Sequence, residues 1–480
     1  MRLAILGAGM AGVLSGIKLR EAGHTDFTIY EKGDSVGGTW RENTYPGLGC
    51  DVPSHLYSYS FALNPDWSHR FSPGPEIHAY FQRVALERGV LPHVRFGDEV
   101  VRCAFEEGRW RIATRSGHRD EVDVVIAATG VLHHPRIPHF EGIESFRGAS
   151  FHSARWDHAV PLDGKRIGVI GTGSTAVQMT GALVPRVAHF SLFQRTAQWI
   201  MPQENPAYGE EEKAAFREDP KLLDTVHHDL SRLFAEGFAS GLTDMNSPAM
   251  QAIQQACLAN LEESVRDPEL RERLRPSYQA ACKRLVISPN FYEAIQQPNA
   301  ELVTSPIERV EPEGVRTADG VLHALDVLVL ATGFQVDRFM RPIEVVGRGG
   351  VRLDDYWEKR PLAYLSISIP DFPNLFMLNG PNGPVGNFSL IEIAEMQLAY
   401  VMQLIELREQ GRAREISATH EATLALEEER VEAARNTIWS SGCRSWYLDD
   451  RGVPATWPWT FDRFREEMAR PKLESYELVS

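Results

Sequence analysis

The chain has 480 residues, 43% of them hydrophobic and 24% charged, with a formal net charge of −15. That length suits about three domains at roughly 150 residues each, with enough apolar material for packed cores. The acidic balance argues against nucleic acid phosphates and anionic membranes, both of which need clustered Lys and Arg, and no run approaches the roughly 20 apolar residues of a membrane helix.

Residues 2–6 (RLAIL) read as a short strand, broken by GAGMAG with Gly7, Gly9 and Gly12; Val13 to Leu19 suit a helix, and Phe27 to Tyr30 a second strand ending at Glu31. A strand, glycine turn, helix and strand, closed by an acid roughly 20 residues past the last glycine, is the order of a dinucleotide-binding unit. The glycines allow a tight turn and close backbone approach to a pyrophosphate, which then rests on the positive end of the helix. Glu31 accepts hydrogen bonds from an adenosine ribose and repels a 2′-phosphate, so this site is expected to take FAD or NAD rather than NADP. The same N-terminal run superficially resembles a secretory leader, but its glycines fit a nucleotide site better, so a soluble, cytoplasmic protein is expected.

Gly37 to Phe61 is dense in glycine, proline and aromatic residues, and Pro46 and Pro53 interrupt any regular element. Long loops in compact domains are usually functional, and Gly38, Thr39 and Trp40 are placed to wrap a flavin. Asp51 is the one acid between Glu42 and Asp66, and if buried against a cofactor it needs a partner. DVVIAATG, ending at Thr129 and Gly130, reads as a buried strand closed by a small-residue turn; DVLVLATGF, from Asp326 to Phe334, is its twin. The pair suggests two crossings between nucleotide domains.

Between them FRGASFHSARWD, from Phe146 to Asp157, has the composition of a linker. A second unit follows: RIGVI from Arg166, then GTGSTA with Gly171, Gly173, Ser174, Thr175 and Ala176, then a strand from Phe190 to Phe193. Arg195 stands where the first unit carries Glu31. A guanidinium there pairs with the 2′-phosphate of NADP, which an acid cannot do, and Thr196 and Lys283 are plausible assistants.

From Ala207 to Pro276 the sequence turns charged and helix-rich, with Leu222, Val226, Leu230 and Leu233 spaced as one apolar face. His227 and His228 sit beside that face without a third ligand at suitable spacing, so no metal site is expected. GPNGPVGNFS, from Gly380 to Ser389, leads into a helix with Ile391, Ala394, Leu398, Val401 and Ile405 on one face, whose first amides suit a flavin's polar edge. The five cysteines (Cys50, Cys103, Cys257, Cys282, Cys443) are scattered without CxxC spacing and are expected to be reduced thiols. The expected fold is α/β, with two Rossmann-like dinucleotide-binding domains. Residues 1–145 and 331–480 would form the FAD-binding domain and 146–206 and 277–330 the NADP-binding domain. A helical insertion at 207–276 would cover a substrate site.

Together these segments resemble the type I Baeyer-Villiger monooxygenases, within the flavin-containing monooxygenases. Phe146, Gly148, His152, Trp156 and Asp157 match that family's FxGxxxHxxxW fingerprint followed by Pro or Asp, and the GGTW, YPGxxCD, ATG, FQRT and SWY segments extend the likeness over nearly the whole chain. The resemblance implies an enzyme using FAD, NADPH and O2 that forms a C4a-peroxyflavin and inserts one oxygen atom next to a ketone carbonyl. It implies that Arg284 is the catalytic cation, that Asp51 orients it, and that Trp446 contacts the nicotinamide ribose. His152 reads as a domain-coupling residue rather than a general base. Several features depart from the family pattern: Ala176 replaces a common glycine, Leu285 replaces a common proline, and the GANxPGK run after SWY is absent. Heteroatom oxygenation and an NADPH-dependent flavin reductase are the alternatives. A small ketone is the expected substrate, with no nucleic acid or membrane partner, and the oligomeric state is left open.

Overall fold

The structure is a computed structural model that describes all residues, 1–480. Two parallel five-stranded sheets organise it. The first runs, in spatial order, Leu375–Met377, Val124–Ala127, Leu3–Leu6, Phe27–Tyr30 and Val94–Arg95. The second runs Ala300–Val303, His189–Phe193, Arg166–Ile170, Val327–Leu330 and Ala149–His152. Leu3–Leu6 and Val327–Leu330 are buried along their whole length, as parallel strands covered on both faces must be, which is why they read as continuous apolar runs rather than alternating ones. In each sheet one strand ends in a glycine loop feeding a helix, Met10–Glu21 in the first and Ser174–Leu183 in the second.

An additional sheet, Glu344–Val346, Val100–Glu106, Arg109–Thr114 and Arg119–Val122, lies against the first. Fully buried Trp110 anchors it by donating to the Pro373 carbonyl at 2.8 Å. The Leu390–Glu409 helix buries Ile391, Ala394, Leu398, Val401 and Ile405 against the first core, as its apolar spacing predicts. No helix is long and apolar enough to cross a membrane.

The segment between Ala207 and Pro276 is helical, with helices at Glu210–Glu218, Pro220–Leu233, Pro248–Ser264 and Pro268–Arg273. Its predicted apolar face needs correction. Leu222 and Leu233 are 40% and 62% exposed, and the Pro220–Leu233 helix turns Leu223 and His227 inward instead. Contacts with distant segments accompany that rotation: the His227 Nδ1 lies 2.7 Å from the His55 carbonyl, and Ser231 Oγ donates to Glu392 of the Leu390–Glu409 helix at 2.5 Å.

Phe146 to Asp157 is more than a linker. Ala149–His152 is the edge strand of the second sheet, paired with Val327–Leu330. The His152 Nδ1 accepts the Ala154 N–H at 3.1 Å, so its proton sits on Nε2, which donates to the Gly333 carbonyl at 3.1 Å. Burial lowers its pKa, and the ring is held neutral with both nitrogens occupied, bridging the fingerprint to the second ATG turn. Trp156 meets Phe151 edge-on at 5.0 Å. A Cβ on Gly148 would lie 2.3 Å from the Asp326 carbonyl oxygen and 2.6 Å from the Phe146 ring. Gly148→Ala is therefore expected to lower the free energy of chemical unfolding by about 1–3 kcal/mol through overpacking, and an unchanged midpoint would remove this account of the glycine.

His55 is fully buried, with neither ring nitrogen hydrogen-bonded, between Tyr208 and Phe216 at 4.9 Å each. Desolvation, helped by His227, pushes its pKa down to about 4. The unfolded chain then binds a proton that the folded chain refuses. The stability contributed by neutral His55 is whole above about pH 6.5 and fades as pH falls from there toward 4. His55→Phe, which keeps the aromatic contacts, should flatten the pH dependence of unfolding in that window; a slope matching the parent protein would contradict the assignment.

Candidate functional site

The first glycine loop leaves a cradle at the start of the Met10–Glu21 helix. Gly9 is the N-cap and provides no side-chain hydrogen bond, so the first-turn N–H groups face outward for an anion. A Cβ on Gly12 would stand 1.8 Å from the Gly7 carbonyl oxygen, so only glycine lets the helix pack this close to the loop. Glu31 is 4% exposed; its carboxylate accepts the Ala8 N–H at 2.8 Å and the Gly33 N–H at 2.7 Å, and pairs with Arg41 at 2.9 Å. Sequence reading missed Arg41, which lies in the short Thr39–Glu42 helix capped by Gly38. A carboxylate offers about four lone-pair positions, so Glu31 retains capacity for a ribose hydroxyl.

Thr129 and Gly130 close the neighbouring strand, and Gly130 is exposed. Trp40 is buried and donates to Tyr57 Oη at 3.1 Å. Asn387 Oδ1 and Ser389 Oγ are buried without any hydrogen-bond partner, just before the Leu390–Glu409 helix, which packs on the Met10–Glu21 helix. Orphaned polar atoms beside an uncapped glycine cradle fit the polar edge and pyrophosphate of a bound flavin nucleotide.

The second cradle repeats the first with opposite charge. Gly173 caps the Ser174–Leu183 helix without a side-chain bond, Ser174 and Thr175 occupy its first turn, and Ala176 is fully buried against the sheet. Arg195 is exposed just past the His189–Phe193 strand, and the Thr196 carbonyl accepts the Thr172 hydroxyl at 2.8 Å. Lys283 comes beside Arg195 from far along the chain. Desolvation and then the Arg195 charge lower its pKa. Two adjacent cations repel unless an anion sits with them, which is the donor set a phosphate monoester requires.

The two halves meet at Arg284. The Tyr45–Asp51 loop of the first half docks on the helix of the second: Tyr45 Oη donates to Gln178 Oε1 at 2.8 Å, and Gln178 Nε2 donates to the Gly49 carbonyl at 3.0 Å. This brings Asp51 to Arg284, whose Nη2 donates to Asp51 Oδ2 at 2.5 Å. The side chains are 34% and 24% exposed, so the pair faces a partly open space. Burial opposes the guanidinium charge, but Asp51 and Tyr447 outweigh it and raise the Arg284 pKa.

Trp446 is 38% exposed and stacks on Tyr447 at 4.1 Å. Tyr447, buried and turned toward Arg284, is a site residue that sequence reading passed over, although it sits in the SWY segment. The expectation of five separate thiols is corrected here. Cys282 and Cys443 form a disulfide across 161 residues, while Cys50, Cys103 and Cys257 are free. Sequence spacing conceals the pair because only the folded tail brings Cys443 onto the Arg284 segment. A cleft of about 1370 Å³, an open polar groove around Ile200, Glu263, Arg273 and His323, contains none of these site residues.

The model of the family described as flavin-binding monooxygenase-like matches residues 1–209. An uncharacterized monooxygenase of Mycobacterium tuberculosis is 47% identical, covering 99% of this chain and 96% of the relative. A Baeyer-Villiger monooxygenase of Streptomyces coelicolor is 37% identical, covering 100% of this chain and 93% of the relative. Among solved structures, cyclohexanone monooxygenase from Rhodococcus sp. Phi1 bound to NADP+ superposes with a TM-score of 0.89 at 30% identity, covering 100% of this chain and 99% of that one.

A binding measurement isolates the second cradle. Arg195→Ala should weaken 2′,5′-ADP by about 1.5–3 kcal/mol, the range of a charge-assisted bond, and leave 5′-ADP nearly unaffected. Equal losses for both ligands would take Arg195 out of the phosphate site.

Proposed function

The chain belongs to the Baeyer-Villiger family of flavin-binding monooxygenases, and we propose that it is an FAD- and NADPH-dependent enzyme that inserts one atom of O2 next to a ketone carbonyl, giving an ester or lactone. The balance is ketone, O2, NADPH and a proton in; ester, water and NADP+ out. The observation that carries this reading is Arg284 held by Asp51 where the two dinucleotide-binding halves meet. Ketone as the substrate class is supported by the cyclohexanone monooxygenase likeness.

Residues 1–145 and 331–480 hold FAD, residues 146–206 and 277–330 hold NADPH, and the helices of 207–276 cover the substrate. Gly7, Gly9 and Gly12 seat the FAD pyrophosphate on the Met10–Glu21 helix and Glu31 takes the ribose. Gly38, Thr39, Trp40, Thr129 and Gly130 line the flavin, with Asn387 and Ser389 on its polar edge. Gly171, Gly173, Ser174, Thr175 and Ala176 seat the NADPH pyrophosphate, Arg195, Thr196 and Lys283 take its 2′-phosphate, and Trp446 lies along the nicotinamide ribose. The bound flavin, reduced by NADPH, supplies the activation of O2.

The chain's own contribution is electrostatic. Negative charge develops first on the activated oxygen and then on the former carbonyl oxygen as oxygen adds to the ketone carbon. Arg284 stabilises both, and Asp51 holds its Nη2 in place before the charge appears. Its high pKa keeps it cationic at any working pH. Asp51 also offsets the cost of a half-buried guanidinium before substrate binds. The first test is product analysis after incubation of the FAD-loaded protein with NADPH, O2 and parallel panels of ketones, sulfides and amines. An ester or lactone from a ketone is the expected product; oxygen delivered to sulfur or nitrogen alone would overturn the reading in favour of heteroatom oxygenation. In the same assay Arg284→Ala should still oxidise NADPH but lose ester formation by at least about 100-fold, the scale of a lost oxyanion contact. Ester formation at the parent rate would remove Arg284 from the reaction.

A further inference from the structure

We infer that Tyr447 is a positioning residue for the oxygenation step, the second anchor of the Arg284 guanidinium opposite Asp51; this rests on the reaction proposed above.

Asp51 accounts for one end of the fork only. It engages Nη2, while Nη1 points toward Gly386 and Tyr447. A Cβ built on Gly386 would lie 3.0 Å from Arg284 Nη1 and 2.0 Å from Tyr447 Oη, so the three groups converge on one point. The phenol and the guanidinium lie close enough that each shifts the protonation of the other. Tyr447 is 3% exposed, too deep to be a surface side chain that drifted inward. Its ring is held between Trp446, stacked at 4.1 Å, and Trp439 at 5.5 Å, and its carbonyl accepts the Ala455 N–H at 2.6 Å. The segment is also cross-linked, because Cys282 and Cys443 lie shortly before Arg284 and Tyr447 and join the two stretches covalently.

A guanidinium bound by a carboxylate through one nitrogen can still swing about its terminal bonds, whereas one bound at both ends presents its remaining N–H groups in a fixed direction. The phenol suits that role because it adds no charge. Desolvation raises its pKa despite the opposing pull of Arg284, so it stays protonated. Its oxygen faces the Nη1 end of Arg284, and the neighbouring Gly386, at φ +89°, leaves room for the hydroxyl that any larger residue would displace. Asp51 comes from the first half, Arg284 from the second half shortly after the helical insertion, and Tyr447 from the C-terminal tail. The tail therefore has a share in aiming the cation, in a chain whose sequence after SWY departs from the family pattern.

A loosely aimed cation would let activated oxygen leave as H2O2. That branch consumes NADPH, O2 and a proton and releases NADP+ and H2O2, while the productive branch transfers one oxygen atom to the ketone and releases water. For Tyr447→Phe we expect the share of oxidised NADPH recovered as H2O2 to rise several-fold. Product kcat should fall about 10-fold with the ketone KM within about twofold, the pattern of a contact that matters only as charge develops. A coupling ratio and kcat equal to those of the parent would overturn the inference. Gly386→Ala gives a second route. Its methyl collides with the Tyr447 hydroxyl, so it should raise H2O2 release in the parent and add little in Tyr447→Phe; an equal increment in both backgrounds would contradict the inference, since backbone strain is common to the two. Melting temperatures of Tyr447→Phe, Arg284→Met and the double variant test the contact without any turnover. Shifts of the singles that sum to more than the double indicate a shared interaction, and strict additivity would refute it. Should the parent protein make no ester while the melting shifts stay non-additive, the proposed reaction fails and the anchoring survives. Should it make ester while Tyr447→Phe is fully coupled, the anchoring alone fails.

Discussion

The contact between Arg284 and Asp51 is the constraint around which the rest is arranged. A cation must stand where two dinucleotide-binding halves meet, and partial burial makes its charge expensive unless a carboxylate is supplied from the other side. The Tyr45–Asp51 loop supplies it, but only because that loop is pinned to the opposite half through Gln178. Without that docking, Asp51 would remain in the first half and Arg284 would face solvent unpaired. A junction between halves is thus also the place where the Arg284–Asp51 pair is assembled.

The two halves are built alike and differ where it matters chemically. Each has a glycine loop at the end of a buried strand and a helix whose first amides are free. The residue following the second strand differs: Glu31, buried and ringed by donors, in one half, and Arg195 with Lys283 beside it in the other. A carboxylate selects against a 2′-phosphate and a pair of cations selects for it, so in the proposed assignment charge sorts two similar nucleotides between two similar cradles. His152 belongs to the frame rather than to the chemistry, since both of its nitrogens are committed to backbone groups.

What could be read from the sequence was mostly local. The glycine loops, the apolar parallel strands and the Leu390–Glu409 helix each lie within a few tens of residues, and Glu31 and Arg195 each lie that close to their own glycine loop, a range over which spacing and burial pattern dictate conformation. Arg284 and Trp446 are singled out by family likeness alone, because nothing in their local pattern distinguishes them, whereas Asp51 also stands out as the one acid between Glu42 and Asp66. Features that depend on distant segments meeting were not legible. The Cys282–Cys443 disulfide, Arg41 at Glu31, Gln178 under the Tyr45 loop and Tyr447 at Arg284 all join stretches that tertiary packing alone brings together, apart from the short Glu31–Arg41 step, which a helix turn conceals. The helix from Pro220 to Leu233 shows the same limit: its spacing is amphipathic, yet contacts with His55 and Glu392 accompany a rotation that leaves Leu222 and Leu233 outward.

The most direct measurement is oxygen-isotope tracing: turnover of a ketone under 18O2 with NADPH, followed by mass spectrometry of the product. Addition of oxygen to the carbonyl carbon under Arg284 predicts one 18O atom in the ester, at the linking oxygen, with the carbonyl oxygen unlabelled and the second 18O in water. An ester without label, or label found only in H2O2 with no oxygenated ketone, would contradict it.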